Sequence, residues 1–266
     1  MHALIIGESE ARVWGLTGRE RLRRQIARVP GVELVEEAAS LPAAGEALLI
    51  HAGYVFDPRI LRVLAGPGEA LALVTAAGAA AAAVRCAGEQ APALARELMQ
   101  GDHGEMLAQL PKRRPGELVT GFERSLRKAE PPTIHELTAA SAPQIEIELF
   151  GGAYKGVTDF VTKWFWPVPA LHVTRWCVAR GWSPNQVTWC GLALAILAGL
   201  AFWAGFPGTG LLLAWIMTFL DTVDGKLARV TVTSSRFGNV LDHGIDLVHP
   251  PLWYAAWGIG LSPPWS

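Results

Sequence analysis

Along roughly the first 110 residues, short apolar runs alternate with amphipathic stretches. Residues 3–6, 47–50, 70–74 and 81–86 have strand length. Between them, residues 19–29, 58–64 and 92–99 carry apolar positions at helical spacing with charges on the opposite face. Strand–helix alternation of this kind predicts an N-terminal α/β domain, residues 1–145, built on a mostly parallel sheet. The alanine-rich stretch 76–84 blurs one boundary and reads equally as strand, turn or helix. Residues 103–150 are mixed, with a basic Pro-Lys-Arg-Arg-Pro-Gly-Glu turn and a proline-containing linker at 130–132.

The pattern then changes. From 154 to 180, Lys155, Lys163, Arg175 and Arg180 interleave with Trp164, Phe165, Trp166, Leu171, Val173 and Trp176. Basic residues among large aromatics suit a helix lying in the membrane interface, an ordinary amphipathic core helix being the alternative. Residues 181–220 are forty consecutive positions without Asp, Glu, Lys or Arg. About twenty apolar residues span a bilayer core, so this run predicts one helix over about 187–205, a turn at Phe206-Pro-Gly-Thr-Gly210 and a second helix from about 211 to the charges at Asp221. A third apolar stretch, 237–261, contains Pro250-Pro251, expected to kink it. The second half, 146–266, therefore reads as an α-helical polytopic membrane domain with three visible transmembrane helices. A helical hairpin buried in a large soluble protein is the alternative.

Composition agrees with that division. The chain is 51% hydrophobic and only 18% charged, with mean hydropathy +0.26, more apolar than an ordinary soluble enzyme. Most of its eleven tryptophans follow residue 160, as expected where lipid headgroups are met. A net charge of −1 gives no reason to expect a nucleic-acid partner. Cys86, Cys177 and Cys190 lack metal-ligand spacing and read as reduced thiols. The N-terminus, a short apolar run followed by basic residues, reverses the order of a secretory signal, so the first domain is expected in the cytoplasm. Lys163, Arg175 and Arg180 precede the first span, Lys226, Arg229 and Arg236 fall between the second and third, and the 206–210 turn has none. The positive-inside rule then puts both basic sets on the cytoplasmic face of the cell inner membrane, with the N-terminal domain on the same side.

Ionisable residues within or beside membrane helices are expensive and point to function. Here they form a pattern: Asp221-Thr-Val-Asp224-Gly225-Lys-Leu-Ala228-Arg229, eight residues, Gly238, three residues, Asp242, three residues, Asp246. Asp221 and Asp224 share one face at the end of the second helix, and Asp242 and Asp246 share one face at the start of the third. Four carboxylates aimed at one space would repel unless cations neutralised them. All-oxygen ligands select hard ions, Mg²⁺, Mn²⁺ or Ca²⁺. Gly225, Ala228 and Gly238 are small where a substrate or a backbone must approach, and Arg229 is able to fork onto a phosphate oxygen. A two-metal carboxylate cluster beside an arginine suits phosphoryl transfer. Any one of these aspartates is more simply a helix cap or a surface charge. For the set of eight positions a chance match is on the order of 10⁻¹⁰ per start point.

The string resembles the D-x₂-D-G-x₂-A-R-x₈-G-x₃-D-x₃-D signature of the CDP-alcohol phosphatidyltransferases, and Pro184-Asn-Gln-Val-Thr188 is similar to the Pro-Asn-x-x-Thr element that opens that family's first membrane helix. The resemblance covers about residues 150–266. It implies a transferase of phospholipid or phosphodiester biosynthesis, in which a CDP-alcohol donates its phosphoryl-alcohol group to a polar alcohol acceptor with release of CMP. It also implies two divalent ions, Mg²⁺ or Mn²⁺, on Asp221, Asp224, Asp242 and Asp246, with Asp246 as general base. Gly225, Ala228, Arg229 and Gly238 would serve the CDP-alcohol, and Lys155 and Asp159 are candidate acceptor contacts, a snorkelling lysine and a surface aspartate being the plainer readings. Six membrane helices are usual in that family, so three imply either a shortened chain or a half supplied by another chain; a homodimer is one such assembly. A non-catalytic membrane module that assembles with a partner or binds CDP-lipid without turnover is the alternative function.

The first domain resembles, more faintly, a sugar-phosphate nucleotidyltransferase: Ala3-Leu-Ile-Ile-Gly7 followed by Arg12, and His51-Ala-Gly-Tyr-Val-Phe-Asp57 in the place of a metal-binding aspartate segment. Glu8-Ser-Glu10 stands where a second phosphate-loop glycine belongs, and Gly18-Arg19-Glu20-Arg21 where a lysine is expected. Two glutamates there would repel a triphosphate, which makes this a degenerate, non-catalytic relative.

Overall fold

The computed structural model describes residues 1–75, 80–101, 104–123, 126–154, 156 and 159–262; the side chains at 236, 237, 239 and 241–243 lie outside the described set. The chain divides into two compact units, Met1–Val157 and Thr158–Ser266.

The first unit contains β1 (His2–Ile6), α1 (Gly18–Ile26), β2 (Glu33–Val35), β3 (Glu46–His51), α2 (Pro58–Leu64), β4 (Leu71–Val74), β5 (Ala81–Ala87), α3 (Ala91–Gln100), β6 (Lys112–Arg113) and α4 (Ala142–Gly152), of which β2, β6 and α4 lie outside the segments expected from the sequence. Among the described residues the main sheet has the order β2-β1-β3-β5-β4-β6. Successive β1 residues point to opposite faces: Ala3 and Ile5 pack with Leu22 and Ile26 of α1 and with Ile60, Leu61 and Leu64 of α2, while Leu4 and Ile6 pack with Leu94, Ala95 and Leu98 of α3. Helices covering both faces explain why the strands read as unbroken apolar runs.

The sheet is mixed rather than mostly parallel. β1 pairs in parallel with β2 and β3, and β4 with β6, but β5 runs antiparallel to both β3 and β4. Only residues 75–80 separate β4 from β5, and a parallel return needs a crossover of a dozen or more residues. Of the ambiguous alanine-rich stretch, 81–84 is strand, and 76–79 lies outside the described residues.

At the carboxyl ends of β1 and β3 the chain turns at Gly7 (φ +68) with the His51 ring against it, where a Cβ on Gly7 would sit 2.6 Å from Nε2. His51 Nδ1 accepts the Gly53 N–H at 3.0 Å, which requires that nitrogen to be unprotonated. Burial lowers the His51 pKa, the Glu136 carboxylate partly opposing.

The second unit is helical: α5 (Phe160–Trp164), α6 (Pro167–Ala179), α7 (Pro184–Trp203), α8 (Pro207–Val230) and α9 (Arg236–Leu261). The expected single interfacial helix over 154–180 is instead two, which meet at Phe165 and Trp166; both keep αR backbone, but Pro167 has no N–H to continue the hydrogen-bond ladder. The expected turn at 206–210 is shorter: Gly205 (φ +80) makes it, and Pro207 already occupies the first turn of α8. α8 also continues past Asp221 to Val230, so Lys226 and Arg229 lie in the helix rather than between helices.

Small residues set how α7, α8 and α9 meet. A Cβ on Gly210 would meet Phe202 at 2.4 Å, one on Gly260 would meet the Phe202 carbonyl at 2.0 Å, and one on Gly199 would touch Trp253 at 3.4 Å. Trp253 Nε1 donates to the Ala195 carbonyl at 2.8 Å, and Trp257 stacks on Phe202 with centroids 5.0 Å apart. These pairs make α9 parallel to α7, with α8 antiparallel to it. Outward, Trp189, Leu197, Trp203, Leu212, Trp215, Leu252 and Ile259 are exposed. By length and composition one described helix, α7, is long and apolar enough to cross a membrane. The uncharged parts of α8 and α9, 207–220 and 247–261, are each extended within the same helix by a segment that carries charged residues, 221–230 and 236–246.

The His51 geometry generates a pH dependence. An ordinary imidazole titrates near pH ~6.5, and with the folded pKa lowered, the stabilisation is whole above that value. As pH falls below it the unfolded chain takes the proton first, and stability drains until the folded pKa is passed. Urea unfolding of the first unit, followed by dithiodipyridine labelling of buried Cys86 in a Cys177→Ser, Cys190→Ser background, should show a midpoint that falls between pH 7 and pH 5. His51→Gln should flatten that slope.

Candidate active site

The second unit concentrates its polar side chains near the amino-terminal end of α7. Ser183 and Gln186 form a capping box there, Ser183 Oγ accepting the Gln186 N–H at 3.3 Å and Gln186 Oε1 accepting the Ser183 N–H at 2.7 Å, with Pro184 in the first turn. This fixes the phase of the first turns of α7 and directs Thr188 at α8. Thr188 Oγ1 lies 2.5 Å from Asp224 Oδ2, and both residues are buried, at 7% and 5% exposure. Asp221, one turn earlier on α8, shares with them a cleft completed by Gly191, Leu192, Met217 and Ile245. Its volume is about 220 Å³ counting the open mouth.

Asp221 and Asp224 are thus brought together, with an apolar wall behind them and Ile245 of α9 across the cleft. Asp246, the next residue, is exposed on α9, and the Asp242 side chain lies outside the described set. Among the described residues no three His, Cys, Asp or Glu side chains converge in a metal-holding group. The donor chemistry still fits a hard cation. Two carboxylates one turn apart, one of them nearly excluded from water, offer the oxygen ligands that such ions take.

The small residues separate into different tasks. Arg229, an exposed residue, lies back along α8 over Gly225, its Nη1 being 3.5 Å from where a Cβ would be, an ordinary contact distance. Ala228 O accepts the Thr233 N–H at 2.9 Å while Arg229 O accepts the Val232 N–H at 3.2 Å. Those two bonds form a Schellman closure with Val232 in the left-handed position at φ 54, where glycine is usual. Ser235 then caps α9 by accepting the Gly238 N–H at 3.0 Å. Gly238 permits a close approach between helices: a Cβ there would meet Asn185 Oδ1 at 2.9 Å.

Asp159 caps α5, accepting the Thr162 N–H at 2.9 Å. A hydrogen bond from the Thr162 side chain, and then this backbone bond, lower its pKa, and the cap accounts for the residue without an acceptor. Lys155 lies outside the described residues. In the first unit, Asp57 caps α2 through the Arg59 N–H at 2.8 Å and pairs with Arg59 Nη2 at 2.6 Å. The segment after β1 is a short hairpin of Arg12–Val13 with Leu16–Thr17. Trp14 at its tip is 1% exposed and donates from its backbone N–H to Glu146 Oε1 at 2.9 Å and from Nε1 to Glu146 O at 3.1 Å.

Sequence reasoning treated Thr188 and Asn185 only as markers of a helix start, and the structure puts both against the aspartate helices. Lys226, counted there as a loop charge, is 4% exposed inside α8. The signal available was the Pro-Asn-x-x-Thr spacing itself, which sets Asn185 and Thr188 three residues apart on one helical face.

Comparison with known proteins defines the class of this unit. Residues 182–263, which are α7 to α9, match the family model of CDP-alcohol phosphatidyltransferase, and this segment is a domain of that family. Among curated relatives, the chain is 33% identical over 78 residues to the archaetidylinositol phosphate synthase of Pyrococcus horikoshii, an alignment covering 29% of this chain and 42% of the relative. It is 34% identical over 93 residues to the phosphatidylinositol phosphate synthase of Mycobacteroides abscessus, covering 30% and 40%. With cholinephosphotransferase 1 of Gallus gallus it shares 28% identity over 123 residues, covering 42% and 35%. The chain therefore spans less than half the length of these relatives.

Gly238→Ala tests the close approach of α7 and α9. Overpacking costs about 1–3 kcal/mol, and improved helix propensity returns at most about 1 kcal/mol. A net loss of about 1 kcal/mol in unfolding stability is expected in the wild-type background. In an Asn185→Ala background the same substitution should be neutral or stabilising, because the clash is gone; equal losses in both backgrounds would refute the approach.

Proposed function

We propose that this chain transfers a substituted phosphoryl group from a CDP-alcohol to the hydroxyl of a polar alcohol, releasing CMP, in phospholipid or phosphodiester biosynthesis. The observation that carries the reading is the buried Asp224 beside Asp221 in one cleft, on helices that match the CDP-alcohol phosphatidyltransferase family. Asp221, Asp224, Asp242 and Asp246 would hold one or two Mg²⁺ or Mn²⁺ ions. When bound, such ions neutralise the donor diphosphate and stabilise CMP as leaving group.

The protein's own residues supply the rest. Asp246 takes the proton from the acceptor hydroxyl, and that oxygen attacks the phosphorus carrying the donor alcohol. The bond from that phosphorus to the CMP oxygen breaks as the new one forms, and CMP departs with its electron pair. Arg229, exposed on α8, forks onto the donor phosphate. Gly225, Ala228 and Gly238 keep the approach open for the nucleotide end. The apolar residues Leu192, Met217 and Ile245 limit water at the reacting phosphorus, which strengthens the electrostatic contacts made there.

The exposed apolar belt on α7 to α9 supports a lipid-facing bundle in which all three helices cross the bilayer. The charged ends of α8 and α9 sit at the cytoplasmic face of the inner membrane, as does the first unit, residues 1–145 with the linker that follows. That unit would be a non-catalytic nucleotidyltransferase relative. The Asp57–Arg59 pair and the Trp14 hairpin support this, since both engage groups that a nucleotide site would need.

CMP release measured with Mg²⁺ or Mn²⁺ and a panel of CDP-alcohols tests the proposal. Asp246→Asn should lower turnover by about 10²–10⁴-fold, the range for loss of a general base, and Asp224→Asn should abolish metal-dependent release. Undiminished release from Asp246→Asn would sink the base assignment. No release with any donor would favour a module that binds CDP-lipid without turnover.

A further inference from the structure

We infer that Thr188 is a positioning residue for the metal site, acting through Asp224; this rests on the transferase reading above. The two side chains come from different helices, α7 and α8, and meet at 2.5 Å in a place almost without solvent. A hydroxyl carries one proton, and Thr188 has two acceptors within reach, the Pro184 carbonyl one turn back at 3.1 Å and Asp224 Oδ2. Bonding to the carbonyl one turn back is the ordinary fate of a threonine in an apolar helix. The shorter distance to the carboxylate is that of a charge-assisted bond, so the proton belongs on the Asp224 side.

The consequence is orientation. An aspartate in a helix has several rotamers, and a cation site works only if its carboxylates present their oxygens in one fixed arrangement. Thr188 holds Oδ2 from the α7 side, so the carboxylate plane is set by a residue that need not touch the ion. The cleft is open beside it on the same helix: Gly191, one turn further along α7, has nothing within 4 Å of where a Cβ would be and lines the same cleft. The hydroxyl at 188 and the missing side chain at 191 therefore act together, one fixing the ligand and the other leaving space before it. Ligands oriented in this way lose about 10–100-fold in metal affinity or activity when the supporting group is removed.

The test is Mn²⁺ binding to the purified full chain in nanodiscs, followed by electron paramagnetic resonance without substrate, together with the Mn²⁺ dependence of CMP release. Thr188→Val keeps the shape and removes the hydroxyl; it should weaken Mn²⁺ binding about 10–100-fold and raise the Mn²⁺ concentration for half-maximal release by a similar factor. Thr188→Ser should restore both to within about threefold. If the valine variant does not fold, Thr188→Cys, a weak donor of similar size, takes its place and should fall between the two. Asp221→Asn separates the two levels of inference. If it binds Mn²⁺ as the wild type does, the metal reading itself fails. If it loses Mn²⁺ while Thr188→Val or Thr188→Cys binds like wild type, the metal reading stands and the role of Thr188 is overturned.

Discussion

The second unit depends on keeping a carboxylate nearly out of water at Asp224. Burying a charge is among the costliest things a fold does unless partners compensate. The compensation begins with the Thr188 hydroxyl on the neighbouring helix, so α7 and α8 must meet at that level. The capping box at Ser183 and Gln186 fixes where α7 begins, and glycines at 199, 210 and 260 let the far ends close around aromatic rings. The aspartate cleft and the aromatic packing are opposite ends of one parallel–antiparallel arrangement, and neither is free to shift register without the other.

Much of this was legible in the sequence, and the parts that were not share a cause. Strands β1, β3, β4 and β5 of the first unit and helices α1 to α3 follow from apolar periodicity alone, whereas the two- and three-residue edge strands β6 and β2 are too short to show a period. The aspartate spacing pointed to the family whose model matches residues 182–263. The errors came where charge was used to end an element: Asp221 was taken as the end of a helix that runs nine residues further, to Val230. Away from water a backbone has no alternative partner for its N–H and C=O groups, so the helix continues as long as neighbouring helices cover it. Lys226 shows the same thing, a charge read as solvated that is 4% exposed. The direction of β5 was illegible for a different reason. Period-two patterning states that a strand is buried on both faces but carries no sign of which way it runs, and only the six-residue link from β4 decides it.

In the first unit a tight hairpin shapes the segment after β1. Trp14 and Gly15 both have positive φ, 53° and 75°, and close a two-residue turn whose twist suits a tight hairpin. The hairpin is held in place by its tryptophan, stacked on Phe150 at 5.8 Å. Helix α1 is closed as well, since Thr17 and Glu20 satisfy its first turn reciprocally.

The connection between the two aspartate helices carries an opposing tension. Val232 occupies the left-handed position of a Schellman closure, where a β-branched residue is strained by about 1–3 kcal/mol, yet it is 7% exposed and packs as a core residue. Glycine would relieve the backbone and forfeit the burial of a side chain worth about 1.5–3 kcal/mol. The two terms are of the same size, so the valine is not a defect awaiting repair. It makes the α8–α9 connection a corner with a hydrophobic anchor, held further by Thr231 Oγ1 on the Leu227 carbonyl at 2.6 Å and by Ser234 Oγ on the Ala228 carbonyl at 3.3 Å. A glycine corner would leave α9 freer to pivot about residues 231–235. The valine corner constrains where the helix carrying Asp242 and Asp246 begins, so strain in the backbone is exchanged for precision in the placement of the second pair of carboxylates.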